Sequence, residues 1–173
     1  DILISSNLER LLYIITNNNE QLVANLMNDL KQEGKFTLPL EYREKLNDFM
    51  SYSVNKSETV EAINDCYNKY NYLIDPHTAV GYKAYDVLKD KLVGKTVVVS
   101  TASPFKFVET VNEVFNFKET DLELINKIAG VANLEVPSIL SDIYNFEYDK
   151  VVWKKEEMET NLRKLIGEID ENC

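Results

Sequence analysis

The sequence predicts an α/β chain, rich in helix and with only a few strands taken from a larger parallel sheet. Three observations predict it. Apolar residues recur at helical spacing over most of the 173 residues. One run, Thr96-Val97-Val98-Val99-Ser100, reads as a strand buried on both faces, as parallel sheets require. Hydroxyl and amide residues stand where predicted strands end and helices begin, the usual edge for ligand binding in such sheets.

Element by element, Asp1-Ile2-Leu3-Ile4 reads as a short strand reaching Ser5. The first residue is Asp1 and not Met, so the chain is expected to be cut from something longer. Ser6 or Asn7 can cap a helix through Leu8, Leu11, Leu12 and Ile15, which Asn17-Asn18-Asn19 interrupts. A second helix carries Leu22, Val23, Leu26, Met27 and Leu30 on one face, and Gly34 ends it. Phe36-Thr37-Leu38 is a brief extended piece, and Pro39 opens a helix that stops near Phe49. Ser57 caps a helix whose expected inner face is Val60, Ile63, Tyr67 and Tyr70.

Tyr72-Leu73-Ile74 is short and extended. Asp75 is a good N-cap and Pro76 a good first helical residue for a helix bearing Val80, Ala84, Val87, Leu88 and Leu92. After the valine strand, Ser103-Pro104 starts a helix through Phe107, Val111, Val114 and Phe115. Thr120-Asp121-Leu122-Glu123 has capping-box spacing, with Leu122, Ile125, Ala129 and Ala132 behind it. Pro137 starts a short turn of helix, Asp149 to Trp153 reads as extended, and a last amphipathic helix uses Met158, Leu162, Leu165 and Ile169. Two short strands, residues 1–5 and 96–100, make a poor sheet, so either helices shield them or the rest of the sheet lies elsewhere.

Composition narrows the chemistry. The chain is 45% hydrophobic and 28% charged, which argues against whole-chain disorder. Its net charge of -10, with no local basic patch, argues against nucleic acid as a partner. No apolar run approaches a membrane span. Cys66 and Cys173 are too few for a disulfide framework, and a reducing cytoplasm is the expected location. His77 is the only histidine, which excludes a zinc site of several His and Cys ligands.

Three segments could carry a site: Ile4 to Asn7, Ile74 to Thr78, and Ser100 to Pro104. Each also reads as ordinary helix capping, since Ser, Thr, Asn and Asp are the usual N-caps and Pro the usual first residue. His77 equally reads as an imidazole satisfied by backbone, and Cys66 as a small buried hydrophobe.

Ser5-Ser6-Asn7-Leu8-Glu9-Arg10-Leu11-Leu12 resembles a Ser-Asn-Phe-Glu-Arg-Leu-Leu segment of bacterial and fungal threonine synthases. Asp75-Pro76-His77-Thr78-Ala79-Val80-Gly81 is similar to that family's Asp-Pro-His-Thr-Ala-Val-Gly motif. Ser100-Thr101-Ala102-Ser103-Pro104-Phe105-Lys106-Phe107 resembles its Ser-Thr-Ala-His-Pro-Ala-Lys-Phe motif. The order and rough spacing agree, from the first residues to about Phe107. Leu8, Ser103 and Phe105 depart from it, and Ser103 removes an imidazole, which puts any proton-transfer role there in doubt.

The resemblance implies a fold type II enzyme using pyridoxal 5'-phosphate (PLP), a lyase that turns O-phospho-L-homoserine and water into L-threonine and phosphate. It implies that residues 1–116 are the carboxyl-terminal part of a PLP-binding domain with a helical insertion, and residues 117–173 a helical extension. Thr101 is the hydroxyl expected to meet the pyridine nitrogen, with His77, Thr78, Ser6 and Asn7 expected near cofactor or substrate. The Schiff-base lysine and the phosphate-holding loop have no counterpart among these residues, and the five glycines are too dispersed for a phosphate cradle. No catalytic residue is therefore assigned to the chain, which alone is expected to be inactive and to self-associate through surface that a missing amino-terminal part would cover. Two alternatives stay open: a threonine-synthase-like phospho-lyase that makes no threonine, and a noncatalytic helical interaction module.

Overall fold

Amphipathic spacing becomes helix wherever one apolar face finds another. The computed structural model describes residues 5–145 and 151–167. The chain divides into two compact units, Asp1–Asn55 with Val80–Val97, and Lys56–Ala79 with Val98–Cys173.

In the first unit, α1 (Ser6–Ile15) is capped by Ser5, one residue before the expected Ser6 or Asn7, with Ser5 Oγ accepting the Leu8 N–H at 3.4 Å. It stops where the Thr16 hydroxyl donates to the Leu12 carbonyl at 2.8 Å and where Asn17 and Asn18 take φ of 58° and 61°. Asn tolerates that left-handed region better than most residues, so the asparagine run is a true break. Asn19 then caps α2 (Glu20–Glu33) by accepting the Leu22 N–H at 3.0 Å, and Gly34 at φ 72° ends it as predicted. Leu12, Ile15, Val23, Leu26 and Leu38 are buried together, flanked by Phe36, Tyr42 and Leu46. α3 (Leu40–Arg43) runs into a 3-10 turn, Glu44–Leu46, and Lys45 Nζ donates to the Ile15 carbonyl at 2.6 Å, closing the end of α1.

The second unit is built on α4 (Lys56–Tyr70). Its buried face is Thr59, Ala62, Ile63 and Cys66, not the predicted Val60-Ile63-Tyr67-Tyr70 face; Tyr70 is exposed. The small side chains of Ala62 and Cys66 let a neighbouring helix approach closely, which bulky tyrosines would prevent. Tyr67 works at the margin, its hydroxyl donating to the Val131 carbonyl at 2.9 Å and its ring edge-on to Phe115. α5 (Pro76–Leu88) begins in this unit. A 3-10 turn, Pro104–Phe107, leads into α6 (Val108–Phe115), followed by α7 (Asp121–Ala132), α8 (Ser138–Asn145) and α9 (Met158–Leu165). α6 packs against both α4 and α7, with Ile63, Val111, Leu124, Ile125 and Ile128 inside. The predicted capping box at Thr120 does not form: no side chain caps α7, and Asp121 sits at φ 51°. The border expected between residues 116 and 117 falls inside this unit.

The strand expected at Thr96 to Ser100 is not confirmed. Among the described residues no strand forms, and Val97 and Val99 are 81% and 71% exposed. A strand needs a ladder partner and covered faces, and no described segment supplies either. Residues 1–4 of the other predicted strand, residues 149 and 150, Ile169 and Cys173 lie outside the described residues; Val151 to Trp153 are irregular. Among the described residues no helix is long and apolar enough to cross a membrane.

Candidate functional site

The second and third motifs meet within the second unit. Asp75 is fully buried, and its Oδ1 accepts the N–H of His77 at 2.9 Å and of Thr78 at 3.4 Å. That is N-capping, as its position before Pro76 predicts. Its second oxygen does more. Asp75 Oδ2 accepts the Thr78 hydroxyl, and Thr78 Oγ1 lies 3.1 Å from Ser100 Oγ. Thr78 is itself buried, so this chain of three oxygens runs from the interior to an exposed serine.

His77 projects the other way. Its side chain is half exposed, with Nδ1 3.4 Å from Asp75 Oδ1 and its ring tilted on Phe107 at 4.6 Å between centroids. Contact with a carboxylate on one side and an aromatic ring on the other limits how the imidazole can turn. Thr101, next to Ser100, is exposed, and no hydrogen bond of its side chain is found among the described residues. Ser103 Oγ accepts the Phe105 N–H at 3.3 Å and so caps the turn that starts at Pro104, while the Phe105 side chain is buried. The residue that replaces the expected histidine is thus a working cap.

Ser6 and Asn7 belong to the first unit. Both are exposed in the first turn of α1, and the Asn7 amide oxygen accepts from the Arg10 guanidinium. Sequence reasoning missed Ser100 and Phe107 as neighbours of His77 and Thr78, and read Asp75 as a cap alone. The available signal was that Ser100 and Phe107 sit inside the third motif. A surface groove between α4 and α6, lined in part by the Lys56–Glu113 ion pair at 2.8 Å, holds none of the motif residues. No group of three or more His, Cys, Asp or Glu that could hold a metal occurs among the described residues.

Comparison with known proteins bears on the same region. Residues 78–157 match the sequence model of a family described as "Threonine synthase, C-terminal". Threonine synthase of Saccharomyces cerevisiae is 33% identical over 95% of this chain and 31% of its own length. Threonine synthase-like 1 of Macaca fascicularis is 38% identical over 69% of this chain and 16% of its own length. The crystal structure of PLP-bound threonine synthase from Brucella melitensis superposes with a TM-score of 0.61 at 28% identity, over 92% of this chain and 32% of that one. The chain therefore spans between 16% and 32% of the length of these relatives. Motifs, family match and superposition agree, and the chain belongs to the threonine synthase family, in the region of its carboxyl-terminal part.

Proposed function

We propose that this chain forms one wall of the active site of a PLP-dependent threonine synthase, the lyase that converts O-phospho-L-homoserine and water to L-threonine and phosphate. The observation that carries the reading is Thr101, an exposed hydroxyl without a side-chain partner among the described residues, beside a serine anchored to the start of α5. PLP, when bound, serves as the electron sink of the reaction. A free hydroxyl suits the pyridine nitrogen of that group, because it donates a hydrogen bond without supplying a charge. A place for His77 beside cofactor or substrate is supported by its half-exposed imidazole, held against Phe107. For Ser6 and Asn7 the support is the motif alone. The lysine that carries the cofactor and the loop that holds its phosphate would come from polypeptide outside the matched region. On this reading the isolated chain is inactive and self-associates through exposed apolar side chains such as Val93 and Val97.

The test uses the complete reading frame that carries this chain. With added PLP it should develop the visible absorbance of bound cofactor and release phosphate and L-threonine from O-phospho-L-homoserine. Thr101→Ala should lower turnover about tenfold, the loss of one hydrogen bond in a closed site. Wild-type turnover in Thr101→Ala, or no cofactor band in the wild-type protein, would overturn the reading.

A second reading has support in the 38% identity to a protein named threonine synthase-like 1. A threonine-synthase-like phospho-lyase would release phosphate without making threonine. Measuring L-threonine against 2-oxobutyrate in the same reaction separates the two.

A further inference from the structure

The three oxygens of Asp75, Thr78 and Ser100 have a direction that their distances alone do not reveal. An ionised carboxylate only accepts hydrogen bonds, and a threonine hydroxyl has one proton to give. Thr78 Oγ1 contacts both Asp75 Oδ2 and Ser100 Oγ. With Asp75 as a carboxylate that proton goes to Asp75, and the Thr78–Ser100 bond then has the Ser100 hydroxyl donating inward. Ser100 spends its proton on Thr78 and keeps only acceptor lone pairs for the outside. Thr101, one residue on, shows no such commitment among the described residues.

We propose that Asp75, Thr78 and Ser100 form a directed hydrogen-bond relay that positions Thr101, with Thr78 a positioning residue and not a cofactor contact. Asp75 is buried and held by the backbone N–H groups of His77 and Thr78, so the inner end of the relay is rigid. The outer end needs that anchor, because residues 95–100 lie in no helix or strand. The relay also divides the labour between two adjacent hydroxyls: Ser100 accepts, and Thr101 is left to donate. The consequence for catalysis rests on the cofactor reading of Thr101; the relay itself does not.

Backbone relaxation by NMR on the complete protein that carries this chain tests the relay. Ser100→Ala changes an exposed side chain and removes the outer link. The order parameter at Thr101 should fall from about 0.85 to below about 0.6, while those of Asp75 and His77 stay unchanged. Thr78→Val should produce the same loss and Thr78→Ser should restore the wild-type value; should Thr78→Val fail to fold, Ser100→Ala decides. A wild-type order parameter at Thr101 in Ser100→Ala overturns the proposal. In the complete protein, Ser100→Ala should also weaken PLP binding about tenfold, read by fluorescence titration, without lowering the melting temperature of the cofactor-free form. If the complete protein binds no PLP while Thr101 still loosens in Ser100→Ala, the cofactor reading falls and the relay stands.

Discussion

Two apolar stretches of this chain have opposite fates. Leu12, Ile15, Val23 and Leu26 of α1 and α2 are buried against one another, Leu12 at 2% and Leu26 at 3% exposure. The run at residues 93–99 is also rich in valine, yet Val93 is fully exposed and Val97 81% exposed. The difference is the range over which each element finds its partner. A helix satisfies its own backbone and needs only one apolar face from a neighbour, here the next helix along the chain. A doubly buried strand needs ladder partners on both edges and covers on both faces, all of them distant in sequence. Hydrophobicity proposes burial, and the supply of partners decides it.

That contrast can be broken by substitution. Leu12→Ala should destabilise the first unit by about 2–5 kcal/mol, read by denaturant unfolding, because it empties a filled site; a change under about 1 kcal/mol would mean the α1–α2 core is not packed as described. Cys66 offers a comparable test in the second unit. Burial, with the Asp65 charge adding, pushes its thiol above the ordinary value. Native alkylation should be at least about tenfold slower than in denaturant, and its rise with pH should begin later. Because the folded thiol keeps its proton to higher pH than the unfolded one, this group's share of stability is present at neutral pH and is lost as pH rises beyond the unfolded value. Equal labelling in both states would place Cys66 at the surface.

Smaller effects sharpen the comparison. Asn19→Ala removes the cap of α2 and should cost about 1 kcal/mol. At the other extreme, Val97→Thr should shift stability by less than about 0.5 kcal/mol, since the side chain already faces solvent. A loss as large as that of Leu12→Ala would show that the valine run is covered in solution.

The family was legible because three short motifs keep their order, and the second and third converge on one place in the fold. The individual roles were less legible. Asp75 was readable as a cap because capping is local, but its second oxygen bonds Thr78, which in turn meets Ser100, 22 residues further on. The expected capping box at Thr120 had the right letters and lacked the backbone geometry, since Asp121 turns left-handed. The inner face of α4 was mislaid because large tyrosines drew attention from Ala62 and Cys66, whose smallness is what close helix packing needs.

Sequence by itself determined what depends on near neighbours: the helix start at Asp75, the stop at Gly34, the break at the asparagine run, and the family motifs. Tertiary structure alone decided which faces are buried, that the valine run finds no partner among the described residues, and that Ser100 meets Thr78. The physical reason is one of range. Caps and turns are settled within a few residues by backbone sterics and local hydrogen bonds, whereas burial and side-chain pairing depend on whatever distant segment arrives to fill the space.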